Sequence, residues 1–531
     1  MRNKVLEYLK KSIPEKINID VFVPEVEDQG HYSTNVAFQL ARLRSKSALT
    51  IAEEIMRRIK EDSRDLFDRI EIGGAGFINF WISKRAFYGE LGRVLKRGNE
   101  YGKLNVKNQS SKVQIEFVSA NPTGPLTMAN GRGGFLGDVL ARVLQKSGKS
   151  VQKEYYINDA GNQIKLLGES LLAELGKISK KEEHYQGDYV KDLARKFKVR
   201  ILKISDTEEI GRLAAAELLK KIKKSIKNAG IEFDKWYSEY ENLRGPRGLI
   251  QEVLEILEKD KAVVDKDGAR WLKTSEITDE KDRVLVKSNG EPTYFLSDLA
   301  YHYDKFLKRK FDLVIDIWGA DHHGYVARLK SGVGVLGIEP ERLKIIITQL
   351  VRLVEGGKEV RMSKRKGDFV TLDELIGEVG RDAARFFFLM HSPGNHMDFD
   401  LALAKERSQK NPVYYVQYAY VRCVGILRRS RSKKSKSKLD LLNTSEDLIL
   451  MRSLVRLPEV LEDTARDYQV HRLTRYAMDL ARAFHNFYEK ERILGEENKD
   501  LARARLVLVS ATKIVLENLF GILGISAPKR M

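Results

Sequence analysis

The sequence predicts an α/β protein. A doubly wound parallel sheet is split by a mostly helical insertion, preceded by a small α+β module and followed by an all-helical tail. Three observations predict it. Val113, Ile115 and Phe117 alternate as a strand, a turn with two prolines and a glycine follows, and the pairs Phe135-Leu136, Val139-Leu140 and Val143-Leu144 then mark a helix leading to a second strand at 151–157. Residues 313–318 form a near-continuous apolar run, as a buried parallel strand requires, and end in polar Gly319-Ala320-Asp321-His322-His323-Gly324. Beyond residue 400 only helical spacing remains. The chain of 531 residues is too long for one core. It divides into segments 1–108, 109–168, 169–282, 283–400 and 401–531.

The first segment is an α+β module. Residues 5–9 are amphipathic, and a polar loop at 27–35 leads into a helix over 36–43. Thr50, with Glu53 three residues on, reads as a capping box opening the next helix. Residues 70–72 and 77–81 read as strands around Gly73-Gly74-Ala75-Gly76. No Lys-Ser/Thr follows that cluster and no helix is launched, which favours a hairpin turn over a phosphate loop. Phe77 and Asn79 share a strand face; pattern alone assigns Phe77 to core packing and Asn79 to a turn contact.

Segment 109–168 carries the strand–turn–helix element through Asn121-Pro122-Thr123-Gly124-Pro125 and Gly131-Arg132-Gly133-Gly134. Free backbone N–H groups and the positive end of a helix dipole then face one spot, which is an anion site in form. An ordinary βα connection has the same pattern. The second strand ends in Asn158-Asp159-Ala160-Gly161-Asn162-Gln163, so polar residues collect where doubly wound sheets bind ligands. Segment 169–282 is an insertion, helical and charged, with a β excursion at 262–264 and 270–272 and no visible chemistry. In segment 283–400, residues 284–286 read as a short strand of the returning sheet, and Tyr294 and Asp298 lie one turn apart on one helix face. Asp321, His322 and His323 invite a metal reading. Adjacent side chains on a turn point apart and nothing completes a ligand set, so ligand contact is preferred. After a strand at 345–347 comes the basic loop Val360-Arg361-Met362-Ser363-Lys364-Arg365-Lys366-Gly367-Asp368, whose cations suit a polyphosphate. In the tail, Tyr414, Tyr415, Tyr418 and Tyr420 stud one helix and 428–438 is a basic loop. Tyrosines at helical spacing are usually core, but aromatics beside a basic loop also suit stacking on unpaired bases.

Net charge is +19, with 94 basic against 75 acidic groups. A charge-rich surface of thermophile type explains the abundance of both signs; the excess favours an anionic partner, most simply nucleic acid. Cys423 is the single cysteine, which excludes intrachain disulfides and fits a reducing cytoplasm. No run approaches the length of a membrane span, and the N-terminus has no apolar core of a secretory signal.

A phosphate-type turn early and a Met-Ser-Lys loop late resemble the class I aminoacyl-tRNA synthetases. The blocks EFVSANPTGPL, YYINDAGNQ, PTYFLSD, WGADHHGY, MSKRKGDFVTL, NPVYYVQYA and GISAPKRM, in that order along nearly the whole chain, resemble the bacterial-type arginyl-tRNA synthetase family. GHYSTNVAF and GAGFINFWI are similar to that family's extra N-terminal domain. The resemblance implies a Rossmann-like catalytic domain, an N-terminal tRNA-contacting domain and a helical anticodon-binding bundle. It implies ATP-dependent activation of L-arginine to arginyl-adenylate and transfer to tRNA(Arg), with the first step requiring bound tRNA. The implied arginine-binding residues are Glu116, Ser119, Asn121, Tyr294, Asp298 and Asp321. ATP would meet Pro125, Thr127, Ala129, Asn130, Gly131, His322, His323, Met362, Ser363 and Lys364. Thr127, Asn130, Arg361 and Lys364 would stabilise the reacting phosphate; Phe77, Asn79, Tyr414, Tyr415, Tyr418 and Met531 would contact tRNA. Mg2+ would be carried with ATP, no resident metal is implied, and a cytoplasmic monomer away from membranes is expected. One departure stands out: the tetrad that is His-Ile-Gly-His in the family reads Thr127-Met128-Ala129-Asn130. Threonine and asparagine can still donate hydrogen bonds, so activity is expected to survive. The competing readings are a non-catalytic tRNA-binding paralogue and a class I synthetase for another amino acid.

Overall fold

The computed structural model describes residues 1–62, 65–104, 111–246, 248–276, 280–360, 370–430 and 437–531. The N-terminal module comprises α1 (Arg2–Ser12), β1 (Tyr32–Thr34), α2 (Val36–Arg44), α3 (Ala48–Asp62), β2 (Phe67–Gly73), β3 (Phe77–Ile82) and α4 (Lys84–Arg97). Its sheet has the order β1-β3-β2, and β2 and β3 pair antiparallel across the expected glycine turn. The expected helix start at Thr50 is corrected: α3 begins at Ala48, and Ser47 Oγ accepts the Thr50 N–H at 3.1 Å.

The middle of the chain runs β4 (Lys112–Glu116), α5 (Met128–Lys146), β5 (Ser150–Ile157), α6 (Asn162–Glu174), α7 (Asp188–Ile201), α8 (Thr207–Asn228), β6 (Lys235–Ser238), α9 (Leu249–Lys259), β7 (Val263–Lys266), β8 (Ala269–Leu272), β9 (Arg283–Val286), α10 (Tyr294–Tyr303), β10 (Leu313–Gly319), α11 (Val326–Val335), β11 (Leu343–Thr348), β12 (Val351–Glu355), β13 (Lys358–Glu359), α12 (Leu372–Val379), α13 (Arg381–Leu389), β14 (Met397–Asp400) and α14 (Leu401–Lys405). The central sheet is parallel, in the order β11-β10-β4-β5-β6. Chain order reverses direction between β4 and β10, which makes their carboxyl ends the switch point where doubly wound sheets bind ligands. Val113, Ile115, Phe117, Ile315 and Ile317 pack with α5 in one core, while Val314 and Leu343 join α10 in another. Helices therefore cover both faces. β6 comes from the segment expected to be pure insertion. Residues 284–286, expected in the main sheet, belong to β9 and pair instead with β8 in a small antiparallel sheet.

Within the insertion, α6 and α8 cross without a gap. A Cβ on Gly168 would lie 1.9 Å from the Thr207 carbonyl oxygen, and one on Gly211 would lie 1.9 Å from that of Ile164. Only glycine allows this approach.

The tail is α15 (Pro412–Arg429), α16 (Ser445–Val455), α17 (Leu457–Asp467), α18 (His471–Lys490) and α19 (Lys499–Leu523). The expectation that no run approaches a membrane span is corrected, since α19 is long and apolar enough by length and composition. It lies within the bundle, with Leu508, Val515, Leu516, Leu519 and Leu523 buried. The tail docks on the N-terminal module through Glu459, which accepts from the Met1 α-ammonium at 2.8 Å and from the Tyr32 hydroxyl at 2.7 Å. It docks on the catalytic sheet through buried Arg385 of α13, which pairs with Asp138 of α5 at 2.5 Å and donates to the Leu523 carbonyl at 3.0 Å.

Candidate active site

The carboxyl ends of β4 and β10 open into a cleft. Past β4, Val118 (φ 69°) and Ser119 (φ 39°) take left-handed backbone, and the Ser119 N–H donates back to the Phe117 carbonyl at 3.0 Å. A β-branched residue rarely adopts this conformation, so the turn stores strain. It reverses the chain sharply at the strand end. Ser119 Oγ accepts from the Tyr156 N–H at 3.0 Å, and Asn121 Nδ2 donates to Gln163 at 2.5 Å. At the start of α5, Pro125 and Ala129 are exposed and Thr127 and Asn130 half-buried.

Thr127 and Asn130 interlock. Asn130 Oδ1 accepts from the Thr127 N–H at 2.8 Å and from its hydroxyl at 2.9 Å. The threonine hydroxyl proton is thereby used inside the turn, and the Asn130 amide NH2 is the group left to reach an anion. Gly131 turns its open side to Leu372: a Cβ there would lie 2.7 Å from Leu372 Cδ1, so only its backbone is available to a ligand. Arg132 is buried, and its guanidinium donates to the carbonyls of Gln349, Leu350, Ser392 and Asn395. It ties α5 to the loops behind the sheet.

The turn is also bound to the later half of the chain. The Met128 N–H donates to the Val370 carbonyl at 2.8 Å and the Leu372 N–H to the Leu126 carbonyl at 2.9 Å. Thr371 then opens α12 with its own capping box, the Glu374 carboxylate accepting from its N–H and hydroxyl. Arg361, Met362, Ser363 and Lys364 lie outside the described residues.

The other wall is α10. Tyr294 stands exposed at the mouth, and one turn deeper the Asp298 carboxylate accepts from the Tyr325 hydroxyl at 2.5 Å. Burial pushes the Asp298 carboxyl up to about 6, raised further by Glu239 and Glu116 and opposed by Tyr325 and His302. Glu116, at the end of β4, is buried and accepts from Lys305 at 2.8 Å. Burial raises its carboxyl, and Lys305 offsets this only in part. Glu116 and Asp298 thus lie near enough for the charge of one to bear on the other, with Tyr294 one turn from Asp298. Asp321, His322 and His323 lie exposed in a 3-10 turn beyond β10, with His322 Nε2 3.3 Å from Asp321 and its ring 5.8 Å from that of Trp318. Among the described residues, the predicted early turn, the α10 pair and the post-β10 turn all open at the same sheet edge.

On α10 the sequence marks Tyr294 and Asp298. The same face continues to His302 and Lys305, at the i+4 and i+7 spacings that placed the first pair together. Tyr325 lies within WGADHHGY, and its hydroxyl meets Asp298, a contact between separate elements that no sequence spacing marks.

The predicted nucleic-acid contacts lie far along the chain. Phe77 is exposed, edge-on to Phe38 at 5.1 Å and Phe22 at 6.5 Å. Asn79 is buried, and its Oδ1 accepts from Ser33 at 2.7 Å. Tyr414 and Tyr418 stack at 6.3 Å along α15, half-buried, with Arg422 over Tyr418 and Tyr488. Tyr415 packs against His485 at 4.7 Å, Tyr420 is buried, and Met531 is exposed.

Three family models match the chain: "Arginyl tRNA synthetase N terminal domain" over 1–82, "tRNA synthetases class I (R), catalytic domain" over 90–387, and "DALR anticodon binding domain" over 416–531. An arginine–tRNA ligase of Citrifermentans bemidjiense is 45% identical, covering 97% of this chain and 95% of that protein. One of Thermotoga maritima is 43% identical, covering 100% and 99%. The fold matches a Thermus thermophilus arginyl-tRNA synthetase structure with a TM-score of 0.82 at 21% identity, over 100% of both chains. A Plasmodium falciparum structure of the same name matches with 0.77 at 17% identity, covering 100% of this chain and 98% of that one.

Proposed function

Since the chain belongs to the arginyl-tRNA synthetases, class I enzymes that ligate arginine to tRNA(Arg) at the expense of ATP, we propose how its own residues divide that work. Glu116 and Asp298 take the guanidinium from two sides, with Tyr294 closing over it. A planar fork matches carboxylates and disfavours lysine's point charge. Ser119, Asn121 and Asp321 hold the α-amino and carboxylate end. The α5 N-terminus, with Pro125, Ala129, the Gly131 backbone and the Asn130 amide, receives the nucleotide beside His322 and His323.

The arginine carboxylate attacks the ATP α-phosphorus, pyrophosphate leaves, and the terminal ribose hydroxyl of tRNA then attacks the acyl carbon. This chemistry needs alignment and charge stabilisation rather than a side-chain nucleophile. Lys364 and Arg361 supply positive charge from the late loop, with Met362 and Ser363 beside them. Lys364 lies six residues before Val370, a span of about 20 Å fully extended. Val370 itself is hydrogen-bonded to Met128 at the start of α5, so a chain of that length allows the lysine to approach the α5 N-terminus. Mg2+ enters with the nucleotide, neutralising its phosphates. Thr127 acts on Asn130 rather than on ATP.

Phe77 and Asn79 contact tRNA through the N-terminal module, Asn79 by holding the hairpin, and Tyr414, Tyr415, Tyr418 and Met531 contact it through the bundle. The working units are 1–108, 109–168 with 283–400, 169–282 and 401–531, in a cytoplasmic monomer. The observation that carries this reading is that Glu116, at the end of β4, and Asp298, one turn from Tyr294 on α10, lie near enough for their charges to interact. Aminoacylation with the purified chain, ATP, arginine and tRNA(Arg) tests it: arginine-dependent charging is expected, and its absence with Asp298 and Glu116 intact would overturn the assignment of an active site despite the altered tetrad.

A further inference from the structure

Beneath the pocket, the face of the sheet that meets α10 turns from apolar Val314 to a buried ionic cluster. Glu116 and Asp316 are register partners on adjacent parallel strands, so their side chains stand next to each other on one face. Both are buried. Two such carboxylates repel strongly in a low-dielectric layer. Lys305, wholly buried, inserts its ammonium between them, 2.8 Å from Glu116 Oε2 and 2.9 Å from Asp316 Oδ1. The Tyr301 ring lies 3.9 Å from the same Nζ. A π-turn over Asp304–Lys308 follows α10 and carries the lysine; such turns recur at functional sites.

His302 takes the other side of Asp316. Its Nε2 is 2.9 Å from Asp316 Oδ2, while its Nδ1 is 2.7 Å from the Asp298 carbonyl. The ring thus bridges the Asp316 carboxylate and the backbone of α10. Asp316 is thereby engaged at both oxygens, Oδ1 by Lys305 and Oδ2 by His302. Burial would raise its carboxyl, but Lys305 and His302 hold it below the usual range. Glu116 is left half-satisfied. Among the described residues no hydrogen bond occupies its Oε1. Neighbouring charges are separately paired: Glu154 with Arg309 at 2.5 Å and Glu239 with Arg244 at 2.5 Å.

We propose that Lys305 is a positioning residue for arginine recognition: shared between Asp316 and Glu116, it fixes the Glu116 carboxylate and leaves one oxygen for the substrate guanidinium. Asp316 is the counterweight. It draws off part of the lysine's charge, so that Lys305 cannot fully neutralise Glu116 and stand in for the substrate. His302 fixes Asp316 from behind and links it to the backbone that carries Asp298. The inference rests on the reading of Glu116 as a guanidinium partner.

The test compares steady-state aminoacylation by four full-length variants. Lys305→Met leaves the carboxylate pair unbridged; arginine KM is expected to rise at least tenfold while the KM values for ATP and tRNA stay within twofold. Asp316→Asn keeps the lysine and lets it close on Glu116; arginine KM is expected to rise several-fold with the fold intact. Lys305→Met combined with Asp316→Asn removes the repulsion as well as the bridge, and arginine KM is expected to fall part of the way back yet stay at least threefold above the parent, because nothing then fixes Glu116; a full return would overturn the positioning role. Glu116→Gln is the reference arm. If it leaves arginine KM unchanged, the pocket reading fails. If it raises arginine KM but Asp316→Asn and Lys305→Met do not, or if they raise arginine and ATP KM alike, the positioning role is overturned and the pocket reading stands. Should Lys305→Met not fold, the Asp316→Asn arm decides alone.

Discussion

At the scale of single residues, the titration of Asp298 gives the sharpest expectation. Its carboxyl is raised from the model-peptide value of 3.8 to about 6, first by burial. The folded protein therefore holds that proton more tightly than the unfolded chain, and without arginine its contribution to stability falls as pH rises through that window. Arginine binding runs the other way, because the guanidinium pairs only with the ionised form. One unit below the folded value roughly a tenth of the groups are ionised, so arginine affinity at pH 5 should be about tenfold weaker than at pH 8. Calorimetric titration checks this; a flat profile would remove Asp298 from the guanidinium contact. Asn130 yields a second expectation. Asn130→Asp keeps the acceptor for Thr127 but loses the amide donor, whereas Asn130→Ala loses both. Both should lower kcat tenfold or more, and only the alanine variant should lose about 1 kcal/mol of stability. Full kcat in Asn130→Asp would show that the amide is not a phosphate donor. Most of these residues were legible in the sequence, because Tyr294 and Asp298 follow helical spacing and the turn at 121–131 is marked by proline and glycine. What was not legible is what each side chain already touches. Thr127 reads as a donor to a ligand, yet its proton goes to Asn130; Asn79 reads by pattern as a turn contact, yet Ser33 holds it inside the sheet.

Among elements, strong periodicity was read correctly and short edges were not. Residues 313–318 announce β10 by an apolar run that only Asp316 interrupts. β6 is four residues, Lys235-Trp236-Tyr237-Ser238, set in a charged helical region, and its place beside β5 depends on contacts that sequence spacing does not encode. β9 carries the same Val-Leu-Val signal as a catalytic strand, and only its partner β8 shows where it belongs. The α6–α8 crossing has a direct consequence. At Gly168 an added methyl would meet a carbonyl that no rotamer change can move. Gly168→Ala should force the helices apart and cost about 3 kcal/mol, seen as an earlier first transition in a thermal melt of the full chain. An unchanged melt would mean the crossing yields freely.

For the whole molecule, the excess of basic groups and the separate placement of Phe77 and the α15 aromatics argue for an extended polyanion surface. Phosphate contacts release counterions, so the KM for tRNA should rise at least tenfold between roughly 50 and 200 mM salt, while arginine KM moves little. Equal sensitivity of both would place the salt effect on the catalytic cleft instead. The bridge from Lys305 to Glu116 spans 189 residues of sequence, and this separation bears on how the protein is made. At typical synthesis rates of about 5–20 residues per second, Glu116 leaves the ribosome roughly 10–40 seconds before the lysine that will neutralise it. During that interval β4 can pair with β5, but burying the end of β4 would strand a carboxylate without a counter-ion. The nascent first half therefore stays unsealed at its catalytic edge until α10 arrives, and the step that completes the arginine pocket is also the one that lets the two halves of the sheet close.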